Sequence, residues 1–171
     1  MKGTRRITRL AMLLVLALAA SYAERLVPSP LPMLPGIKLG LANAVVLVVL
    51  YTHNTRTALV LSVLRVTLAG LLFTGVWGML YALSGAVLSF AVMAGLKQMR
   101  LFGVIGVSAA GGAVHNFGQL VFAALVMRTS GLFAYLPLLI IAGTLAGVLV
   151  GVVAGLCVLR LNGAMQQKGM D

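Results

Sequence analysis

Six apolar runs follow one another along this chain, at 7–27, 37–53, 57–74, 79–96, 103–128 and 132–160, with short polar breaks between them. A helix of about 20 apolar residues crosses the hydrocarbon core of a bilayer, so six crossings need about 120 residues. The chain can supply them, because 61% of its 171 residues are hydrophobic and 20 more are glycine. A soluble domain of this length has too much surface for its volume to hide that many apolar side chains. Only 9% of the residues are charged, against about 25% in an ordinary soluble domain. The runs predict an all-α, polytopic membrane helix bundle of six transmembrane helices, one integral membrane domain over 1–171. They exclude a soluble enzyme, a disordered chain and a disulfide scaffold.

The breaks carry the topology. Lys2, Arg5, Arg6 and Arg9 precede the first run, and Ser21-Tyr22-Ala23 before Glu24 has the small-x-small form of a leader cleavage site. An even number of runs and a basic C-terminus favour an uncleaved first helix instead. Pro28, Pro30, Pro32 and Pro35 read as an extended loop. Gly75-Val76-Trp77-Gly78 reads as a turn, and Thr129-Ser130-Gly131 as another break.

Charge orients the bundle. There are 13 Lys and Arg against 2 Asp and Glu, a formal +11. With both termini inside, nine cations fall on the inner side and three (Arg25, Lys38 and Arg128) on the outer, with Arg65 in mid-span. That asymmetry is the positive-inside pattern, and it predicts an N-in, C-in protein of a bacterial cytoplasmic membrane. Membrane lipid is the expected neighbour of such a surface, and nucleic acid is not. Tyr22, Trp77, Tyr81 and Tyr135 fall near the outer ends, where an aromatic belt belongs.

The acids limit the chemistry. Glu24 and Asp171 are the only two, so the chain has neither an acid–base carboxylate pair within a span nor an aspartate-rich magnesium site. Cys157 stands alone in an apolar stretch and reads as inert packing. No Cys, Asp or second His stands near His115, so a metal is not expected. No cofactor is implied, and no Gly-x-x-x-x-Gly-Lys-Ser/Thr motif for ATP occurs.

Small residues mark the close contacts. Gly143, Gly147, Gly151 and Gly155 recur every fourth residue and share one face of the sixth run. Such a ridge either packs inside the chain or docks a partner subunit. Ala19 and Ala23 form a shorter small-xxx-small pair on the first run, and Gly36, Gly40 and Ala44 another on the second.

A few polar residues sit where lipid-facing helices cannot carry them. Arg65 lies mid-span, where a charge costs a few kcal/mol or more. It pairs with Glu24 or with backbone carbonyls, binds an anionic guest, or snorkels. His115 and Gln119 are four apart on one face of the fifth run, next to Asn116 and one turn from Gly112. That stripe serves interhelical hydrogen bonding or contacts a ligand. Lys38 and Asn43 follow the proline loop, Lys38 at the outer mouth. Any cavity among these groups would suit an anionic or phosphate-bearing solute.

Two motifs carry a family resemblance. Pro35-Gly36-Ile37-Lys38-Leu39-Gly40-Leu41-Ala42-Asn43 and Gly111-Gly112-Ala113-Val114-His115-Asn116-Phe117-Gly118-Gln119-Leu120 resemble a bacterial membrane family. It is named both Gx transporter and heptaprenyl diphosphate synthase component I. The architecture is also similar to the S components of energy-coupling-factor transporters, six-helix proteins with a loop capping an outward-facing pocket. That likeness implies a transmembrane coupling subunit contacted by Ala19 and Ala23, and partner ATPases. The synthase name implies an enzyme-subunit partner, since the chain lacks the aspartates of a prenyl-diphosphate synthase.

The expectation is therefore a solute-binding, S-component-like transporter subunit, not itself an enzyme. Its guest would be a small anionic molecule, vitamin-like, flavin-like or isoprenoid-related. Lys38 would steer the guest and Arg65 would pair with its charge. His115, Asn116 and Gln119 would orient it, with Asn43 in a lesser part. The alternative is a non-catalytic membrane subunit of a prenyl diphosphate synthase or membrane redox assembly.

Overall fold

The computed structural model describes residues 2–26 and 40–168. They form six α-helices and no strand: α1 Lys2–Leu26, α2 Leu41–Thr52, α3 Thr55–Phe73, α4 Gly75–Met99, α5 Val104–Met127 and α6 Leu136–Lys168. A 3-10 turn, Gly131–Tyr135, leads into α6. All but α2 are long and apolar enough to cross a membrane. In hydrocarbon the backbone can satisfy its polar groups only within itself, which makes helix the default for apolar runs.

The helices close into a ring. α1 packs on α2 and α3, α3 on α4, α4 on α5, α5 on α6, and α6 returns to α2. The outside of the ring is apolar and unburied: Leu125, Leu145, Leu156 and Leu159 are all more than half exposed. This inverts a soluble protein and is what lipid requires.

Several boundaries differ from the sequence reading. The second helix is 12 residues long, Leu41–Thr52, where the run at 37–53 suggests a full crossing. At 1.5 Å per residue it spans about 18 Å, short of the roughly 30 Å hydrocarbon core. It is enclosed by α1, α3 and α6. Val46, Leu47, Val49 and Leu50 are at most 1% exposed. Gly40, read as part of a small-residue ridge, precedes α2 with a left-handed φ of 77°. Gly36 and the proline loop lie outside the described residues.

The expected turn at 75–78 is helical, because the reversal is completed at Thr74 and Gly75. Gly75 has φ 74°, which an L side chain disfavours, and one such residue is enough to turn the chain. Asn54 caps α3, its side-chain oxygen accepting from the Thr57 amide at 2.7 Å. α6 starts later than the run at 132–160 suggests and continues to Lys168.

The glycine ridge is used internally. A Cβ on Gly143 would lie 2.5 Å from the Gly112 carbonyl oxygen, one on Gly147 2.4 Å from that of Ser108, and one on Gly151 2.8 Å from Ile105 Cα. α5 fills this face, so these three are not a partner-docking surface. Only Gly155, with nothing within 4 Å, keeps an open side. Ala19 and Ala23 are exposed on α1, whose buried contact is Ala17. Cys157 is exposed on α6 rather than packed.

Candidate functional site

The ring encloses a cavity of about 290 Å³ to which all six helices contribute. It runs from the end formed by Arg25, Gly40 and Thr74 down to Ser89, Met93 and Ser108. That end is the one expected to face outward.

Three side-chain charges bind the ends of neighbouring helices. Arg25, in the last turn of α1, donates through Nη1 to the carbonyl of Phe73, the last residue of α3. Glu24 Oε1 accepts from the amide of Leu41, the first residue of α2. Lys97, near the end of α4, donates through Nζ to the Leu50 carbonyl in the last turn of α2 and lies 5.4 Å from the centre of the Tyr51 ring. Each charge has the sign that complements the helix end it touches. Lys97, read as a positive-inside residue, is also the C-terminal anchor of α2.

Arg65 is 8% exposed and lines the cavity. Its Nη2 donates to Asn43 Oδ1 at 2.7 Å. Its Nε is buried without a hydrogen-bond partner among the described residues. Glu24 acts on it electrostatically. Asn43 thus orients the guanidinium.

The opposite wall comes from α4, α5 and α6. His115 and Gln119 line the cavity where α5 meets α4. Gly85 makes that approach possible: a Cβ there would lie 2.6 Å from the His115 carbonyl oxygen and 2.8 Å from Gln119 Cγ. Gly85 had no signal in the sequence beyond being one glycine among many. Gln119 is 7% exposed, and its amide makes no hydrogen bond within the described residues. Asn116 is committed elsewhere, donating through Nδ2 to the Leu139 carbonyl of α6 at 2.7 Å. Ser89 similarly donates to the Gly111 carbonyl at 2.8 Å. Tyr81, expected in the aromatic belt, turns into the cavity instead, while Trp77 is 70% exposed.

Four of the sequence candidates, Asn43, Arg65, His115 and Gln119, therefore meet around one cavity, and Asn116 joins its lining while holding α5 to α6. Lys38 lies outside the described residues. Among the described residues no group of three or more His, Cys, Asp or Glu could hold a metal ion.

A family model described as heptaprenyl diphosphate synthase component I matches residues 13–157, from the middle of α1 to the last third of α6. The chain belongs to that family. The match covers every helix of the ring, so this family and the multi-pass bundle describe the same unit. None of the curated proteins and none of the solved structures matches the chain. The family description names a component of a synthase, and the aspartate-rich motif of such an enzyme is missing from the sequence.

Proposed function

We propose that this component I protein is a solute-binding subunit of a bacterial cytoplasmic-membrane transporter, comparable to an S component. It takes a small anionic molecule, vitamin-like or isoprenoid-related, from the outer side into the ring. The observation that carries this reading is the cavity that brings Arg65 and Gln119 together with His115. A bundle that needed Arg65 only as a structural lock would have no reason to keep space beside it. Membrane interiors hold ionisable groups mainly where they serve a pathway or a ligand.

In this reading Arg65 pairs with the guest's charge, Asn43 holds Arg65 in place, and Gln119 and His115 orient the guest. Asn116 positions α5 against α6. Lys38 steers the guest inward. Without an ATP-binding motif, the energy for release comes from partner subunits, a coupling protein in the membrane and its ATPases. The exposed Ala19 and Ala23 are a contact face for that coupling subunit.

A second reading is favoured by the family description. The protein would be a non-catalytic membrane subunit of a prenyl diphosphate synthase, with Arg65 facing a lipid diphosphate.

Mass spectrometry of the protein purified gently in detergent, beside Arg65→Ala, tests the proposal. A small water-soluble anion in wild type and its absence from the variant are expected. Copurified lipid diphosphate or a synthase subunit, with no water-soluble ligand, would support the second reading instead.

A further inference from the structure

Polar and apolar groups are not spread evenly along the cavity. By the helical rise, Arg65 lies about 12 Å in from the outer end of α3, and Gln119 about 12 Å in from the outer end of α5. Both line the cavity and are more than nine-tenths buried, at 8% and 7% exposure. Arg65 Nε has no hydrogen-bond partner among the described residues, and the Gln119 amide makes no hydrogen bond among them. Buried polar groups are normally satisfied, and leaving them open costs stability unless a bound molecule completes the set. His115, one helical turn below Gln119, closes this polar level. On its mouth side the lining carries Glu24, Arg25 and Thr74.

Deeper in, the character changes. Met93 lies about 27 Å from the outer end of α4, so about 15 Å of depth separates it from Arg65. The apolar lining here is Leu47, Met93 and Val150, with hydroxyls from Ser89 and Ser108. Ser89 gives its hydroxyl to the Gly111 carbonyl at 2.8 Å, and the Ser108 Cβ packs toward Gly151 of α6, 2.9 Å from where a Cβ would stand there. Leu47, Met93 and Val150 also belong to the buried core of the inner half, in which Leu50, Val107 and Ala154 are 0% exposed. Among the described residues the cavity is therefore blind, polar half-way down and mainly apolar at its floor.

Met93 is the adjustable part of that floor. Its Cγ and Sδ lie 2.6 Å from where a Cβ on Gly111 would stand, so the glycine is what lets this side chain lie across the end of the cavity. An unbranched thioether adapts to whatever packs on it. At about 30 Å³ per water-sized group, 290 Å³ accepts about ten non-hydrogen atoms. A chain of seven isoprene units is several times larger.

Resting on the solute-binding reading, we infer that the cavity takes a slim amphiphile tail first: an anionic head, carboxylate or phosphate, held between Arg65 and Gln119, and an apolar body of about six to eight carbons that reaches down to Met93, which sets its length. The head then completes the two open donors. The reverse orientation would press a charge against Leu47, Met93 and Val150, where it is expensive to bury. A guest with no apolar body would leave water on that floor and gain nothing from it.

The test uses the full chain in detergent and two probe series, n-alkanoates from acetate to laurate and n-alkyl phosphates of the same lengths. The readout is the concentration at which each probe stabilises thermal unfolding. In wild type, affinity should rise about fourfold per methylene. It should peak near octanoate or hexyl phosphate, each of about ten non-hydrogen atoms, and fall beyond. Met93→Ala opens the floor and should move the peak outward by about two to three carbons. Met93→Leu, of similar volume, should leave it in place. Arg65→Met should abolish stabilisation at every length. A rise that continues to laurate without a peak, as partition onto the lipid-facing surface would give, overturns the inference. So does a peak that Met93→Ala leaves in place, or one that survives in Arg65→Met. Should Met93→Ala fail to fold, the wild-type profile beside Arg65→Met decides. A hydrophilic anion copurifying with the protein, while neither series stabilises it, would sink the inference and leave the solute-binding reading intact. Absence of any native guest, with the length profile as expected, would instead count against the solute-binding reading alone.

Discussion

The two walls of the cavity are built on different physics. The wall from α1, α2 and α3 is held by charge: Glu24 on α2, Arg25 on α3, and Arg65 on Asn43. The wall from α4, α5 and α6 is held by close backbone contact, with Gly85, Gly112 and Gly143 at the crossings, and by neutral side-chain hydrogen bonds from Ser89 and Asn116. Apolar burial gives little net attraction between helices when lipid tails are the solvent, so each wall needs another source of cohesion. Close backbone packing is short-ranged and intolerant of added atoms. Ion–dipole contact acts over a longer range and tolerates a change of side-chain length, but depends on the sign of the charge. The glycine wall is therefore expected to be the rigid frame, and the charged wall the part that answers to a guest.

The largest effect should come from breaking the glycine wall. A Cβ on Gly112 would lie 2.1 Å from the Gly143 carbonyl oxygen, a backbone atom that cannot swing aside. Gly112→Val should cost about 3 kcal/mol or more, seen as loss of a cooperative melt in detergent. Gly155→Ala, with open space around it, should melt like wild type. If both melt alike, the ridge is not the frame.

Arg65→Met should come next. It removes the charged hydrogen bond from Arg65 to Asn43, at about 2 kcal/mol, and should abolish guest retention in the same preparation. Lys97→Met should be milder, about 1 kcal/mol, because only the C-terminal end of α2 loses its partner. Its effect should appear as faster hydrogen exchange over residues 41–52, with α5 and α6 unchanged. The smallest stability change belongs to Gln119→Leu, which removes an amide that lines the cavity and makes no hydrogen bond among the described residues. Its melt should stay within about 0.5 kcal/mol of wild type, while guest affinity falls roughly tenfold. A large stability loss there would mean the amide serves the frame and not the guest.

Much of this was legible in the sequence. The apolar runs predict six helices and their order, because lipid makes helix the default for each of them. Arg65 stands out because a charge in an apolar run needs a reason, and His115 with Gln119 because a spacing of four shares a face. Other features depend on how helices lie beside one another. The shortness of α2 is hidden because an apolar run reads alike whether it faces lipid or neighbouring helices. The hold of Glu24 on Leu41 joins two helices across a gap of 17 residues, and no periodicity encodes it. Gly75 and Gly78 together look like a turn, yet the left-handed backbone of Gly75 alone is enough, which leaves Gly78 inside α4. The ridge on α6 was visible, but its occupant, α5, was not.

The anchoring of α2 also bears on the order in which the protein is made. The segment 41–52 emerges from the ribosome early, yet its partners at the two ends are residues 24 and 97. A nascent chain that has reached residue 73 holds Glu24 for one end of this helix but not yet the Lys97 side chain for the other. Lys97 arrives only when the fourth helix has been synthesised, and the α6 side of the enclosure, where Val150 and Ala154 join the same core, arrives last. The shortest helix of the bundle is thus among the first to be translated and among the last to be fully enclosed.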